Sequence, residues 1–331
     1  MVSAMPRRPG PVNGLRPAAV PPLHLARHYP AGTVRARLRR GEWLAVRPGA
    51  YIDAPVGQDP YAVTRGVALA RVAATALQLR TPVVISHASA ALLWALPAPT
   101  TQPVHVIQRT KPCGRSHGLE RHTHRLGDTD VVTLGGLAVT QPVRTVIDCA
   151  GTLGARAALV VADAALHAGV DRAACIAMLA EMPGARGIVQ ARAVLELADD
   201  GAESPGESSA RFALLAAGLP RPETQVRVET HLGCFWSDLG WPEWRLLAEY
   251  DGRGKYEARG SATDAVLAEK RRQDAIEEAG YRVMRITKDD LRTPGRLAAR
   301  VIRAAPPGAL RLPLTPRGVL AEPSGGRGAS R

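Results

Sequence analysis

Residues 203–304 constrain the fold most tightly, because their apolar pattern switches repeatedly between a helical and a strand period. ESPGESSARFALLAAGLP sets Phe212, Leu215 and Leu219 at helical spacing, and Gly218 with Pro220 stops it. TQVRVET alternates as a strand, and CFWSDLGW and WRLLAEYDG follow as two more. TDAVLAEKRRQDAIEEAG is helical up to Gly280, YRVMRIT is a fourth strand and LRTPGRLAARVI a last helix. Helix, three strands, helix, strand, helix is an α/β (α+β) core with mixed layers.

Carboxylates collect on these strands. Alternation sends Leu247, Glu249 and Asp251 to one face, and on the preceding strand Trp236, Asp238 and Gly240 share a face. The short turn at Trp241-Pro242-Glu243 returns the chain antiparallel, bringing Asp238 towards Glu249 and Asp251. Like charges side by side repel unless a cation or base neutralises them. Oxygen donors of this kind suit Mg²⁺ or Mn²⁺, which can activate water for phosphodiester hydrolysis. Lys255, four residues past Asp251, is the first candidate to assist at phosphate. On the following helix Arg272 falls within the apolar face of Ala268, Ala275 and Ile276, with Glu269 at its edge and Lys270 opposite. The simpler alternatives are a solvated turn at Glu249–Gly254, a packing role for Trp236, Trp241 and Trp244, and a dipole role for Glu207 early in its helix.

The words SDLGWPEW, AEYDGRGKY and EKRRQDAIEEAGYRVMRIT, in this order of elements, resemble the nuclease-like domain related to very-short-patch repair endonucleases. That domain belongs to the PD-(D/E)XK restriction-endonuclease-like superfamily. The resemblance implies Asp238 as first metal-binding acid, Glu249 as second and Glu207 as the helical acid beside them. Two departures stand out: Asp251 occupies the position of the expected lysine, and no histidine cluster accompanies these strands.

Ahead of this block, GTVRARLRRGEWLAVRPGAYIDAP reads as a helix ended by Gly41, with Val34 and Leu38 inward, then a hairpin. That is the latter half of a winged helix, with Arg35, Arg37, Arg39 and Arg40 as DNA phosphate contacts. A solvated arginine-rich face is the competing reading. GEWLAVRPGAYI, VISHASAALLWALP and QPVRTVIDCA look like segments of bacterial proteins with an AbiEi-type antitoxin-like region ahead of a nuclease-like domain. Only LHLARHYP precedes the recognition helix, too little for the supporting helices of a full winged helix.

The expected domains are a flexible tail at 1–22, a winged-helix-like segment at 23–58, a mixed α/β middle domain at 60–200, a nuclease-like domain at 203–304 and a flexible tail at 305–331. Within the middle domain His105, His117, His122 and His124 invite a metal, but no acid or cysteine stands at ligand spacing, so solvent-facing strand positions are expected. Cys113, Cys149, Cys175 and Cys234 form no CxxC pair, which argues against a disulfide framework and for a reducing cytoplasm. Neither a secretory leader nor a membrane span is legible. The net charge of +13 favours a polyanionic partner, although only four of the 43 basic residues are lysine, a skew that base composition alone also produces.

Together these features imply an Mg²⁺- or Mn²⁺-dependent DNA endonuclease or nickase, with Glu207, Asp238, Glu249, Asp251 and Lys255 catalytic. The alternative is a non-catalytic DNA-binding regulator of antitoxin type with a degenerate nuclease-like domain. RNA stands as a second possible polymer, and neither a membrane nor a small-molecule cofactor is expected.

Overall fold

A computed structural model describes residues 14–57, 59–101, 103–108, 118–252, 262–310, 314 and 318. His117 and Lys255 lie outside the described residues. The chain divides into two units, one comprising Gly14–Leu153 with Val170–Ala191, the other Gly154–Gly169 with Arg192–Arg331.

The first unit begins with β1 (His24–Leu25), α1 (Ala31–Arg39), β2 (Trp43–Arg47) and β3 (Ala50–Asp53). The strands pair antiparallel in the order β1-β3-β2. Gly41, at φ +68°, follows α1 as the sequence predicts. Leu25, Val46, Ala50 and Ile52 bury against Ala70 and Ala74 of α2 (Pro60–Gln78), so the hairpin shares its core with a helix assigned above to the next domain. Leu38 is 38% exposed rather than inward, because the short α1 leaves its far end over solvent. Residues 14–22 form neither helix nor strand, yet they are anchored: the Ala18 N–H donates to the Leu93 carbonyl at 2.7 Å.

The rest of this unit is β4 (Val84–Ile85), α3 (His87–Leu93), β5 (Val104–Ile107), β6 (Leu119–His122), β7 (Val131–Leu134), β8 (Leu137–Thr140) and α4 (Pro142–Thr152). After α5 (Ala155–His167), which belongs to the second unit, α6 (Arg172–Ala180) returns, and the division falls within α7 (Ile188–Leu197). The five-stranded sheet runs β6-β5-β4-β8-β7. Its strand β5 is buried throughout, which explains the unbroken VHVI. Gly187 must be glycine: it sits at φ +79°, and a Cβ there would lie 2.0 Å from the Gly151 carbonyl oxygen.

The second unit contains α8 (Pro205–Ala216), β9 (Glu223–Thr230), β10 (Gly233–Trp241), β11 (Leu246–Asp251), α9 (Ala262–Glu278), β12 (Arg282–Thr287), α10 (Lys288–Arg292) and α11 (Pro294–Ala304). The expected order of helix, three strands, helix, strand and helix is present. The sheet is β12-β11-β10-β9, with β11 and β12 parallel and the other pairs antiparallel. On one face Leu239, Trp241, Leu246 and Ala248 pack with Ala210 and Leu214 of α8 and Leu297 and Val301 of α11. On the other, Val226, Val228, Phe235 and Leu247 pack with Ala275 and Ile276 of α9.

α5 joins this unit through a fully buried ion pair: the Arg211 guanidinium donates to both Asp163 oxygens, at 2.6 and 2.8 Å, and to the Leu197 carbonyl. Removing one member of such a pair leaves a charge in a low dielectric. Arg211→Met should therefore cost about 3–5 kcal/mol in urea unfolding. Asp163→Leu with Arg211→Met should recover much of that loss but not all, because the Asp199 N–H also loses its acceptor on Asp163. A single variant within ~0.5 kcal/mol of the parent would contradict this account.

Candidate functional site

The centre of the four-stranded sheet holds the predicted acids, and each is engaged differently. Glu249 projects from β11 on the Leu247 face, under α9. There Arg272 grips it in a fork, at 2.8 Å to Oε1 and 2.7 Å to Oε2. The same guanidinium donates to Glu269 at 2.9 and 3.0 Å, and Arg285 also binds Glu269. Arg285 lies beside Glu249 in the parallel register. Burial works against the Arg272 charge, but the Glu249 and Glu269 carboxylates outweigh it and raise its pKa. The helical reading that turned Arg272 inward and left Lys270 exposed is correct.

Asp238 reaches β11, as the hairpin predicts, at a point where β10 is irregular. Phe235 packs under α9 whereas Leu239 and Trp241 pack under α8, so alternation along β10 reverses between them. Gln225, between the paired residues Thr224 and Val226 on β9, takes a left-handed φ of +50°. Through this irregularity the Asp238 carboxylate reaches the Tyr250 N–H of β11 at 2.8 Å. Asp251 ends β11, half-buried and opposite Thr287.

Glu207 belongs to the opposite face of the sheet. It completes a capping box for α8: Ser204 Oγ donates to one carboxylate oxygen at 2.7 Å, the Glu203 N–H to the other at 2.8 Å, and the Glu207 N–H returns to Ser204 Oγ. Its neighbour Gly206 lies against Tyr250, where a Cβ would meet the ring at 2.0 Å. Among the described residues, Asp238, Glu249 and Asp251 do not converge as ligand atoms within 4.8 Å of one another. The carboxylates expected to share one cation do not form one three-ligand group, and Glu249 is held by the Arg272 fork.

On the arginine helix α1, Arg35, Arg37 and Arg39 are exposed, as is Arg40, which caps it. Glu42 pairs with Arg37 and Arg40.

A second constellation lies in the other unit, where His124 is exposed but His105 and His122 are not solvent-facing. His105 is 8% exposed and His122 half-buried, because β5 is an inner strand and β6 borders it. They are joined by His87, within the segment VISHASAALLWALP, which carries no metal-ligand spacing of its own. His87 opens α3 after β4 and the single residue Ser86, and holds a left-handed φ of +53°. Its ring stacks on His122 at 3.7 Å between centroids, with His105 5.3 Å from His122 and His124 6.0 Å from it. His105 Nδ1 lies 3.0 Å from His122 Nε2, and His87 Nδ1 lies 2.8 Å from Ser86 Oγ and 3.9 Å from Asp148 Oδ2. Arg144 of α4 donates to Asp148 Oδ1 at 2.9 Å and to Asp130 at 3.2 Å. One ligand atom from each of His87, His105 and His122 falls within 4.8 Å of the others, the one such group of three among the described residues.

Among the described residues no helix is long and apolar enough to cross a membrane, and Cys149, Cys175 and Cys234 are free thiols. No known family description matches the sequence. Over 246 residues, 73% of the chain, it is 34% identical to uncharacterized protein Rv2248 of Mycobacterium tuberculosis strain H37Rv and covers 89% of it. Uncharacterized protein MT2308 of strain CDC 1551 / Oshkosh aligns with the same identity and coverage.

The imidazoles set a pH dependence. Burial holds His87 down at about 2 and His105 and His122 at about 4, with neighbouring rings adding to the effect for His87 and His122. Unfolded histidine titrates near ~6.5, so below that pH the unfolded chain binds more protons than the folded one. Stability is therefore lost as pH falls through the window from about 6.5 towards 4. Asp148 opposes this: burial lifts its carboxyl to about 6, against the pull of Arg144, so its contribution is lost as pH rises through about 6. Three rings outweigh one carboxyl. Urea unfolding of metal-free protein should show stability falling from about pH 7 to about pH 5, and His122→Gln should flatten that slope. Stability rising over the same interval would overturn the assignment.

Proposed function

The chain belongs to one family with the two uncharacterized mycobacterial proteins, and we propose that it is a DNA-binding protein of regulator type. In this reading its restriction-endonuclease-like unit binds rather than cuts. The observation that carries it is the Arg272 fork on Glu249. A catalytic Mg²⁺ or Mn²⁺ needs a carboxylate lone pair and a negative environment, whereas the guanidinium takes one lone pair on each Glu249 oxygen and sets a positive charge against it that repels a dication. Freeing Glu249 for a metal would leave Arg272 in a partly buried position with one of its two acidic partners lost. Asp251, where the superfamily pattern asks for lysine, points the same way. The polymer is argued from charge: +13 overall, with exposed arginines along α1. Glu42 holds Arg37 and Arg40, so phosphate contact falls first to Arg35 and Arg39.

A second reading, a metal-dependent endonuclease or nickase, is favoured by one observation: Asp238 and Glu249 sit on paired strands, joined through the Tyr250 amide. Supercoiled plasmid incubated with Mg²⁺ or Mn²⁺ separates the two. The expected result is a gel shift with no nicking in either metal. Arg35→Ala with Arg39→Ala should weaken the shift and reduce the salt slope by about 2. Nicking by the parent protein that Glu249→Gln abolishes would establish the nuclease and overturn the regulator.

A further inference from the structure

We propose that His87, His105 and His122 form a binding site for a transition-metal dication, Zn²⁺ foremost, separate from the acidic strands of the nuclease-like unit. The three donors come from separate stretches of chain that only the five-stranded sheet brings together. β4 pairs antiparallel with β5, β5 pairs parallel with β6, and His122 lies opposite Ile107, on the His105 face. His87 follows β4 after the single residue Ser86. A tetrahedral ion with nitrogen ligands at 2.0–2.1 Å spaces those nitrogens about 3.3 Å apart. The 3.0 Å between His105 Nδ1 and His122 Nε2 is close to that value.

Packing alone accounts poorly for this cluster. Among the described residues His105 Nε2, which is buried, has no hydrogen-bond partner, and neither has Asp148 Oδ2. The orphaned nitrogen is Nε2, not the Nδ1 that faces His122, so it marks a ring, more than nine-tenths buried, that packing leaves unsatisfied rather than the ligating atom itself. Burial keeps the rings neutral, and neutral imidazole is the form that ligates. Asp148, 3.9 Å from His87 Nδ1, stands where a carboxylate orients a ligating histidine through its other nitrogen. Arg144 and Asp130 hold that carboxylate in turn. All-nitrogen donors select zinc, copper, nickel or iron over Mg²⁺, which takes oxygen ligands. Exposed His124, 6.0 Å from His122 between ring centroids, lies on the solvent side, so a fourth position is left for water or for His124 itself.

The test uses full-length protein carrying no histidine tag, stripped with chelator and titrated with Zn²⁺ and, separately, Co²⁺. About one equivalent of Zn²⁺ per chain should bind, raise the melting temperature and give Co²⁺ the visible absorption of a tetrahedral nitrogen site. His122→Asn and His105→Gln should abolish the Co²⁺ spectrum, and Asp148→Asn should weaken binding roughly 10–100-fold. Far-ultraviolet circular dichroism checks that each variant is folded. Should His105→Gln not fold, the parent titration and His122→Asn still decide. Glu249→Gln should bind as the parent does. No Zn²⁺ binding by folded parent protein at micromolar metal would overturn the proposal. So would a Co²⁺ spectrum that survives His122→Asn but disappears in Glu249→Gln.

Discussion

The burial of strand β11 on both faces is the constraint on which the second unit depends. Leu246 and Ala248 pack beneath α8 and α11, and Leu247 packs beneath α9. A strand sandwiched in this way has no solvated side on which to leave a charge, yet it carries Glu249 on the α9 side. A carboxylate at that depth must be paired or neutralised. The chain supplies Arg272 from the helix above and Arg285 from the adjoining strand, with Glu269 balancing both. The apolar-face reading of α9 and the charge network beneath it are one fact seen from two sides. A helix packed on a carboxylate presents an arginine there.

The two units meet the problem of buried polar groups in opposite ways. In the second, charges persist and are matched, as in the Arg211–Asp163 pair with neither side chain exposed. In the first, desolvation removes charge from His87, His105 and His122, while Arg144 and Asp130 surround the remaining carboxyl, Asp148. Paired ions fix geometry at the cost of desolvation, whereas neutral imidazoles keep their lone pairs available. The first arrangement suits a scaffold and the second suits a ligand site.

Much of the core was legible because alternation and helical period are local. Phe212 and Leu215 marked α8, Gly41 ended α1, and the order of elements from 205 to 304 followed from spacing alone. The candidate site was legible only in part. Glu249 was assigned the Leu247 face correctly, because β11 is regular. Asp238 was brought to β11 as the hairpin predicts, but the reversal between Phe235 and Leu239, beside a left-handed residue on the neighbouring strand, is recorded by no pattern within β10. Glu207 carried a visible signal for its actual role, since Ser204-Pro205-Gly206-Glu207 is a capping-box spacing.

What the sequence determined by itself was the alternation of elements, the inward arginine of α9 and the basic charge of the whole, because each depends on neighbours a few residues away. What the tertiary structure decided was which charges meet. His87, His105 and His122 form one cluster because β4, β5 and β6 are adjacent in a sheet whose order is β6-β5-β4-β8-β7. Arg272 meets Glu249 because α9 crosses above β11. Strand order and helix crossing arise from burying apolar faces across the whole unit, so the contacts that define both sites were fixed by distant parts of the chain.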